Sequence, residues 1–203
     1  MSPLSVVKVG GSLCADPGRL AGLLAALAEG VHGRCVIVPG GGAFADAVRT
    51  AQAREGFDDA VAHRLALDAM ARMAASFREI EPRLVRCAAL SLPRRGGRES
   101  AGGVLENEAL VWDPTPLKAG HPDIPETWDV TSDSLALWLA AAVGAGRCVL
   151  VKSTDAPSGR SPAELARLGL VDAAFPAFAA AYAGAIEVWG PDGAVRLAHR
   201  IAA

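Results

Sequence analysis

A lysine and the glycines that follow it are the residues in this sequence whose types and spacing best suit chemistry on a phosphate. Lys8 lies among three valines, and Gly10, Gly11 and Ser12 come directly after this apolar run. A buried strand seldom holds a lysine unless its ammonium reaches a partner at the strand end, because an unpaired buried charge is costly. Glycines there let backbone N–H groups approach an anion without hindrance from Cβ. The stretch indicates a phosphate site, although an edge-strand lysine that extends to water would give the same pattern.

Further residues with suitable chemistry follow later apolar runs. The run 36–39 ends in three consecutive glycines, Gly40, Gly41 and Gly42, and the run 148–151 ends in Lys152. Because the carboxyl ends of parallel strands meet at one edge of a sheet, these residues would lie together. Asp133 would add a carboxylate that holds both lysines, or it would simply complement the dipole of its own helix. Two cations, free N–H groups and one carboxylate are what phosphoryl transfer calls for, since the protein mainly positions groups and neutralises charge.

The elements that must position these residues alternate between strand and helix. Leucines at 20, 23, 24 and 27 recur at helical spacing after Asp16, which can cap a helix, and before Gly30, which can end one. Apolar runs predict strands over 6–9, 35–38, 84–90, 109–112, 148–152 and 186–189. Further helices are predicted over 43–54, 58–77, 131–143 and 194–201. This order indicates right-handed βαβ units and a mostly parallel sheet.

The segment 113–127 is the most plausible boundary within the chain. It holds four prolines, which excludes a long helix or an inner strand. We expect an ordered loop over the strand ends, between an N-terminal lobe over 1–112 and a C-terminal lobe over 113–203 that share one continuous sheet. The whole would behave as a single domain, since 203 residues suffice for one large α/β unit.

Composition excludes several classes of function. Apolar residues make up 51% of the chain, and the formal net charge of −2 gives no reason to expect nucleic acid or an acidic membrane as partner. The four cysteines are far apart and show neither zinc-ligand spacing nor a disulfide framework, so a reducing compartment is the default. No charged and apolar leader precedes the first strand, and no apolar run is long enough to span a bilayer. We therefore expect a cytoplasmic protein.

Other motifs that could bind a nucleotide or do chemistry are weaker. The P-loop pattern is absent. Residues 40–45 fit the G-x-G-x-x-A dinucleotide fingerprint, but they follow the second strand rather than the first, so a dinucleotide-binding oxidoreductase is the weakest of three hypotheses. None of the four histidines has the local signature of a catalytic set. We expect His63 to be structural or exposed, and His121 alone is kept as a substrate contact.

Four motifs in a fixed order resemble the amino acid kinase superfamily. They are Val6–Ser12, Val36–Gly42, Trp128–Ser134 and Val151–Asp155, and they span most of the chain. Within that superfamily, the short length, the W-D-V-T-S-D-S segment and Phe175-Pro176 are most similar to the aminomethylfuran phosphate kinases of methanofuran biosynthesis. The resemblance implies a three-layer αβα sandwich with a mostly parallel sheet. It also implies a small-molecule kinase that uses ATP and Mg²⁺ and acts on a phosphate monoester in one-carbon cofactor biosynthesis.

The resemblance also implies roles for individual residues. Lys8 would bridge the β- and γ-phosphates of ATP, Asp133 would orient lysines, and Lys152 would serve as the second catalytic cation. The N-terminal lobe would bind the phosphoryl acceptor with Gly40, Gly41, Gly42, Thr131 and Ser132. The C-terminal lobe would bind the nucleotide. The nucleotide-binding residues would be Gly10, Gly11, Ser12, Ser153, Thr154, Asp155, Trp189 and Gly190.

Two departures from the family pattern support an alternative. Asp155 is followed by a shortened stretch, 156–165, where relatives carry a longer loop over the nucleotide, and no lysine follows Lys152. A non-catalytic binding or assembly subunit with a degenerate nucleotide site is therefore the second hypothesis. A helical stripe of Ala66, Met70, Met73 and Phe77 is more typical of core or of a subunit interface than of a ligand site, and as an interface it would support a homo-oligomer. Acceptor specificity would depend on the loop 93–103 and the segment 113–127.

Overall fold

The computed structural model describes residues 4–88 and 109–197, which form a seven-stranded sheet with an apolar core on each face. In spatial order the strands run β3-β4-β2-β1-β5-β6-β7, and every neighbouring pair is parallel except β6 with β7. The strands are β1 Ser5–Val9, β2 Cys35–Pro39, β3 Val85–Cys87, β4 Leu110–Trp112, β5 Arg147–Val151, β6 Ala185–Trp189 and β7 Ala194–Leu197. This confirms the predicted αβα sandwich.

Within residues 4–88 and 109–197, six α-helices connect or cover the strands. They are α1 Pro17–Ala28, α2 Gly42–Glu55, α3 Asp59–Ile80, α4 Ser132–Ala142, α5 Pro162–Arg167 and α6 Phe175–Ala181. The first begins as its sequence predicts, because the Asp16 side chain accepts a hydrogen bond from the Arg19 N–H at 3.0 Å. None of the described helices is both long and apolar enough to cross a bilayer.

Strand β1 lies at the centre of the sheet, which explains its composition. All five of its residues are buried, and Lys8 is in register with Val38 of β2 and Leu150 of β5. Because neighbouring strand residues point to opposite faces, Val6 joins one core while Val7 and Val9 join the other. Lys8 therefore points to the same face as Val6, and its ammonium needs a buried partner.

The C-terminal part of the sequence prediction needs correction. Residues 194–201 were predicted as a helix, but β7 occupies 194–197 and pairs antiparallel with β6; residues 198–203 lie outside the described part. The turn between the two strands is closed by a hydrogen bond from the Gly190 N–H to the Gly193 carbonyl at 2.9 Å. Gly193 has φ +138°, which suits glycine. Helices α5 and α6 were not predicted, because each spans fewer than eight residues.

The helical stripe on α3 is core rather than surface. Met70 and Met73 are each 4% exposed and Phe77 is fully buried, because α3 packs against β2, β3 and β4. The expectation that this stripe supplies a surface for self-association is therefore wrong. The predicted loop over 113–127 is ordered as expected, with a 3₁₀ turn at Thr115–Ala119, whereas the loop 93–103 lies outside the described residues.

Candidate active site

Two lysines and one aspartate form a buried ionic cluster at the carboxyl edge of the sheet. The Lys8 ammonium lies 2.9 Å from Oδ1 of Asp133, and the Lys152 ammonium donates a hydrogen bond to Oδ2 at 2.7 Å. Lys8 comes from β1, Lys152 follows β5 directly, and Asp133 lies in the first turn of α4. The structure thus brings together the three residues that the sequence predicts to be catalytic.

The cluster perturbs the protonation of its members. Burial alone would raise the pKa of Asp133, but the positive charges of Lys8 and Lys152 outweigh it and hold that pKa below its usual range. Burial and the charge of Lys8 lower the pKa of Lys152 to about 8, against the opposing attraction of Asp133. Lys152 is therefore a cation that can lose its proton near physiological pH.

The two glycine loops pack directly against each other beside this cluster. A Cβ on Gly11 would lie 2.3 Å from the Gly42 Cα, and Gly42 has φ +52°, in the left-handed region that favours glycine. Gly11 begins a 3₁₀ turn and Gly42 begins α2, so both carry N–H groups that a helix start leaves without an internal partner. Such groups can bind an anion, as the sequence predicts.

Gly10 differs from that prediction. Its N–H donates to the Val151 carbonyl at 3.2 Å, continuing the parallel ladder between β1 and β5. The Gly40 N–H is similarly taken by the Val9 carbonyl at 2.8 Å. Neither N–H is free for a ligand, so the expectation that Gly10 donates one is corrected.

Substituting alanine for Gly11 should abolish the site. The added Cβ would collide with backbone atoms of Gly42, which cannot move without displacing α2. We expect kcat to fall on the order of 10²-fold, because small displacements of positioning groups have that effect. An assay of the predicted phosphoryl transfer measures the loss of rate, and thermal unfolding measures the accompanying loss of stability. Gly22→Ala on α1 is the control, since nothing lies within 4 Å of its Cβ and helix stability should rise slightly; equal behaviour of the two variants would contradict the prediction.

A cleft of about 340 Å³ opens next to the glycine loops. Thr131 and Ser132, predicted to bind the acceptor, line it together with Lys8, Gly11, Ser12 and the glycines 40–42. Its outer wall includes Asp46 and Arg49, which the sequence did not mark, together with His63 and Trp128, which were noted without being assigned to a site. The remaining lining is mainly apolar and includes Ala66, Leu67, Met70, Val130 and Leu135. The size suits a small organic phosphate.

Arg49 and Trp128 form a preorganised wall of this cleft. The guanidinium carbon of Arg49 lies 4.3 Å from the centroid of the Trp128 ring, a cation–π arrangement, and Arg49 also contacts Asp46 at 3.1 Å. The indole N–H of Trp128 donates to Oε1 of Gln52 at 2.6 Å. These contacts fix a cation and an aromatic surface where the organic part of an acceptor would lie.

His63 adds a neutral polar group to the same wall. It is 5% exposed, and its Nδ1 lies 3.4 Å from the Thr127 carbonyl oxygen. Burial lowers the pKa of His63 despite the opposing effects of that carbonyl and of Glu126. The ring is therefore uncharged at neutral pH. His121, by contrast, packs edge-on against Trp138 in a separate groove and does not line this cleft.

The residues predicted to bind the nucleotide do not line one common cleft, unlike those predicted to bind the acceptor. Ser153, Thr154 and Asp155 are exposed and follow Lys152 directly. Oδ1 of Asp155 accepts a hydrogen bond from the Asp192 N–H at 3.0 Å and occupies the space where a Cβ of Gly190 would lie. The gap that Thr154 lines beside Lys152 is too narrow to admit a water molecule.

Trp189 does not face the lysines. Its ring packs against His32, with centroids 4.8 Å apart, and its N–H donates to Oε2 of Glu187 at 3.0 Å. The guanidinium carbon of Arg147 lies 5.8 Å from the centroid of the Trp189 ring, and Arg147 also lies 3.9 Å from Oε2 of Glu187.

Comparison with known proteins agrees with this geometry. A profile described as the amino acid kinase family matches residues 3–156. The chain is 28% identical over 153 residues to the (5-(aminomethyl)furan-3-yl)methyl phosphate kinase of Methanocaldococcus jannaschii, covering 75% of this chain and 67% of that protein. The fold is similar to UMP kinase from Ureaplasma parvum, with a TM-score of 0.64 and 13% identity over 98% of this chain and 100% of that one.

A second solved structure, uridylate kinase from Archaeoglobus fulgidus, matches with a TM-score of 0.58 and 15% identity over 97% of this chain and 91% of that one. Identities this low establish the fold alone. The family profile covers most of the chain and includes the first and second glycine loops, Asp133 and Lys152. The chain belongs to the amino acid kinase family.

Proposed function

We propose that this protein is a small-molecule kinase that transfers the γ-phosphoryl group of ATP to a phosphate monoester of the aminomethylfuran phosphate type. The observation that carries the proposal is the cluster of Lys8, Asp133 and Lys152, whose member Lys8 lines a cleft together with the glycines of both loops. The two ammonium groups would neutralise charge on the transferring phosphoryl and on the leaving diphosphate. The similarity to the archaeal kinase supports both the acceptor and a place in one-carbon cofactor biosynthesis.

The two substrates would bind on opposite sides of the lysine cluster. The cleft near Arg49 and Trp128 would take the acceptor, with its phosphate against Gly41 and Gly42. ATP would lie on the C-terminal half, near Ser153 and Thr154. Both oxygens of Asp133 face lysines, so Mg²⁺ would be carried mainly by the nucleotide's own phosphate oxygens, to which it binds readily.

A direct assay tests this function. The protein is incubated with Mg-ATP and an aminomethylfuran phosphate, and products are analysed by mass spectrometry. We expect the diphosphate and one equivalent of ADP, with UMP in place of the furan as the comparison acceptor. Absence of diphosphate at saturating substrate would contradict the furan acceptor, and product from UMP instead would point to a nucleotide acceptor.

One observation favours a second candidate, a binding or assembly subunit that has lost catalysis. Among the described residues, the gap beside Thr154 has no room for even a water molecule, whereas ordinary ligand pockets hold hundreds of cubic ångströms. Calorimetry with a non-hydrolysable ATP analogue separates the two candidates. Binding that depends on Lys8 supports the kinase, whereas no binding at millimolar analogue supports the subunit. Cytoplasmic location and self-association stay predictions, and light scattering measures the latter.

The lowered pKa of Lys152 predicts a pH dependence of the kinase activity. Because the phosphoryl group needs a cation, kcat/KM for ATP should fall as pH rises through about 8, where Lys152 loses its proton in the free protein. Lys152→Arg supplies a matched control, since a guanidinium stays charged throughout this range. Rates measured from pH 6 to 10 should show the alkaline decline in the wild type only. A decline at the same pH in the arginine variant would assign it to another group.

A further inference from the structure

A carboxylate from outside helix α4 caps the first turn that carries Asp133. Oδ2 of Asp172 accepts hydrogen bonds from the Thr131 N–H at 2.9 Å, the Thr131 hydroxyl at 2.8 Å and the Ser134 N–H at 3.0 Å. Its Oδ1 accepts a further one from the Ser134 hydroxyl. Thr131 occupies the N-cap position but makes no capping bond with its own side chain. The residue that caps this turn is therefore Asp172, which lies 41 positions after Thr131 in the chain.

The segment around Asp172 holds the same turn at a second point. The Ala174 N–H donates to the Asp129 carbonyl at 2.9 Å. The connection between α5 and α6 therefore forms hydrogen bonds with the chain before Thr131, at Asp129, and after it, at Ser134. Asp133 lies between Thr131 and Ser134, the two residues that Asp172 contacts. Its carboxylate can meet both lysines only while this turn keeps its position, which makes the position of Asp133 depend on Asp172.

Asp172 also affects the charge balance of the cluster. The groups that act on Lys152 are Lys8 from β1, Asp133 from α4 and Asp172 from the α5–α6 connection. Arg19 of α1 donates to the Lys152 carbonyl oxygen at 3.2 Å rather than to its ammonium. The negative charge of Asp172 raises the pKa of Lys152, and its effect is the smallest of those that act on this lysine.

We propose that Asp172 is a positioning residue of the phosphoryl-transfer site, which fixes the first turn of α4 and thereby holds the carboxylate of Asp133 between the two lysines. The inference rests on the proposed kinase function for its kinetic consequence. Its electrostatic consequence concerns Lys152 alone and is measurable without turnover. Asp172 acts through Asp133 and Lys152, with no contact to substrate implied.

The chain offers an unusually clean probe of this charge effect, because it contains three lysines, Lys8, Lys118 and Lys152. Protein labelled with ¹³C-lysine gives three sets of side-chain signals, which Lys→Arg variants assign. Lys118 pairs with Asp68 at 2.6 Å on the surface and serves as the internal control. In Asp172→Asn the protonated form of Lys152 loses an attractive charge, so its titration midpoint should move to lower pH than in the wild type while Lys118 stays unchanged.

Two further variants separate charge from hydrogen bonding. Ser134→Ala removes one hydrogen bond but keeps both carboxylates, so the Lys152 midpoint should stay at the wild-type pH. Asp172→Glu keeps the charge and displaces it by one methylene, so it should restore the midpoint but not the rate. We expect kcat at pH 7 to fall on the order of ten-fold or more in both Asp172 variants, because Asp133 is misplaced.

The outcomes are distinct. An unchanged Lys152 midpoint and an unchanged kcat in a folded Asp172→Asn protein would overturn the proposal, leaving Asp172 a purely structural cap visible only as a lower Tm. If Asp172→Asn does not fold, the Asp172→Glu variant tests the positioning role instead. A kcat equal to that of the wild type in this variant would overturn that role. A wild-type protein without kinase activity refutes the proposed function instead, while the Lys152 titration still tests the charge effect.

Discussion

Replacing Lys8 with alanine should reduce kcat by about 10²-fold or more while the protein stays folded. Lys8 is 6% exposed and lines the cleft, where it would neutralise charge on the transferring phosphoryl. Losing one preorganised charge-stabilising group costs about that factor in rate. The fold should survive, because Lys152 still pairs with Asp133 at 2.7 Å and the buried carboxylate is not left alone.

The measurement needs a shape control and a charge control. Lys8→Met keeps most of the side-chain volume, so a similar loss in both variants assigns the effect to charge rather than to a cavity. Lys118→Met removes a lysine that is 40% exposed and is not among the residues that line the cleft, and its kcat should match the wild type. Turnover by Lys8→Met within about three-fold of the wild type would contradict a catalytic role for this lysine.

The carboxyl edge of the sheet could be predicted from sequence because its signals are local. Three valines around Lys8 indicate a central strand, the glycines after it indicate a close approach, and parallel topology places all strand ends on one side. The same reasoning placed Lys152 correctly, since it follows another apolar run. In each case a few neighbouring residues determined the outcome.

The outer wall of the cleft could not be predicted, because its members depend on how helices face one another. Arg49 lies on α2 and His63 on α3, and only the packing of these helices brings both to Trp128. Helical periodicity identifies the apolar face but does not say which polar residue borders a cavity. His63 has no second metal ligand nearby in the sequence, so nothing in the sequence marked it as part of a binding site.

The role of Asp172 and the strand β7 could not be predicted from the sequence for a related reason, because both depend on partners that are distant in the chain. Asp172 caps a helix 41 residues earlier in the chain, and no local capping pattern marks it. Strand β7 has four residues and is stabilised by pairing with β6. A short segment with mixed composition can form either a helix or a strand, and the tertiary partner decides.

Replacing Asp133 with asparagine should be the most damaging single change to stability in this site. The substitution preserves shape but leaves the ammonium groups of Lys8 and Lys152, whose side chains are 8% and 14% exposed, without a carboxylate between them. Removing one partner of a buried ionic cluster typically costs on the order of 3–5 kcal/mol, because the remaining charges are uncompensated. Chemical denaturation at pH 7 measures this loss, and turnover should be lost with it.

The pH dependence of that loss identifies its cause. In the wild type, burial lowers the pKa of folded Lys152 to about 8, below that of an unfolded lysine, so the unfolded state binds more protons and stability rises with pH above about 8. Without Asp133 the folded pKa falls further, and the rise should begin at a lower pH. Asp133→Asn combined with Lys152→Met removes the uncompensated charge and should recover much of the lost free energy of unfolding. An equally unstable double variant would show that Asp133 acts through packing of α4, because charge repulsion between the lysines would then contribute little.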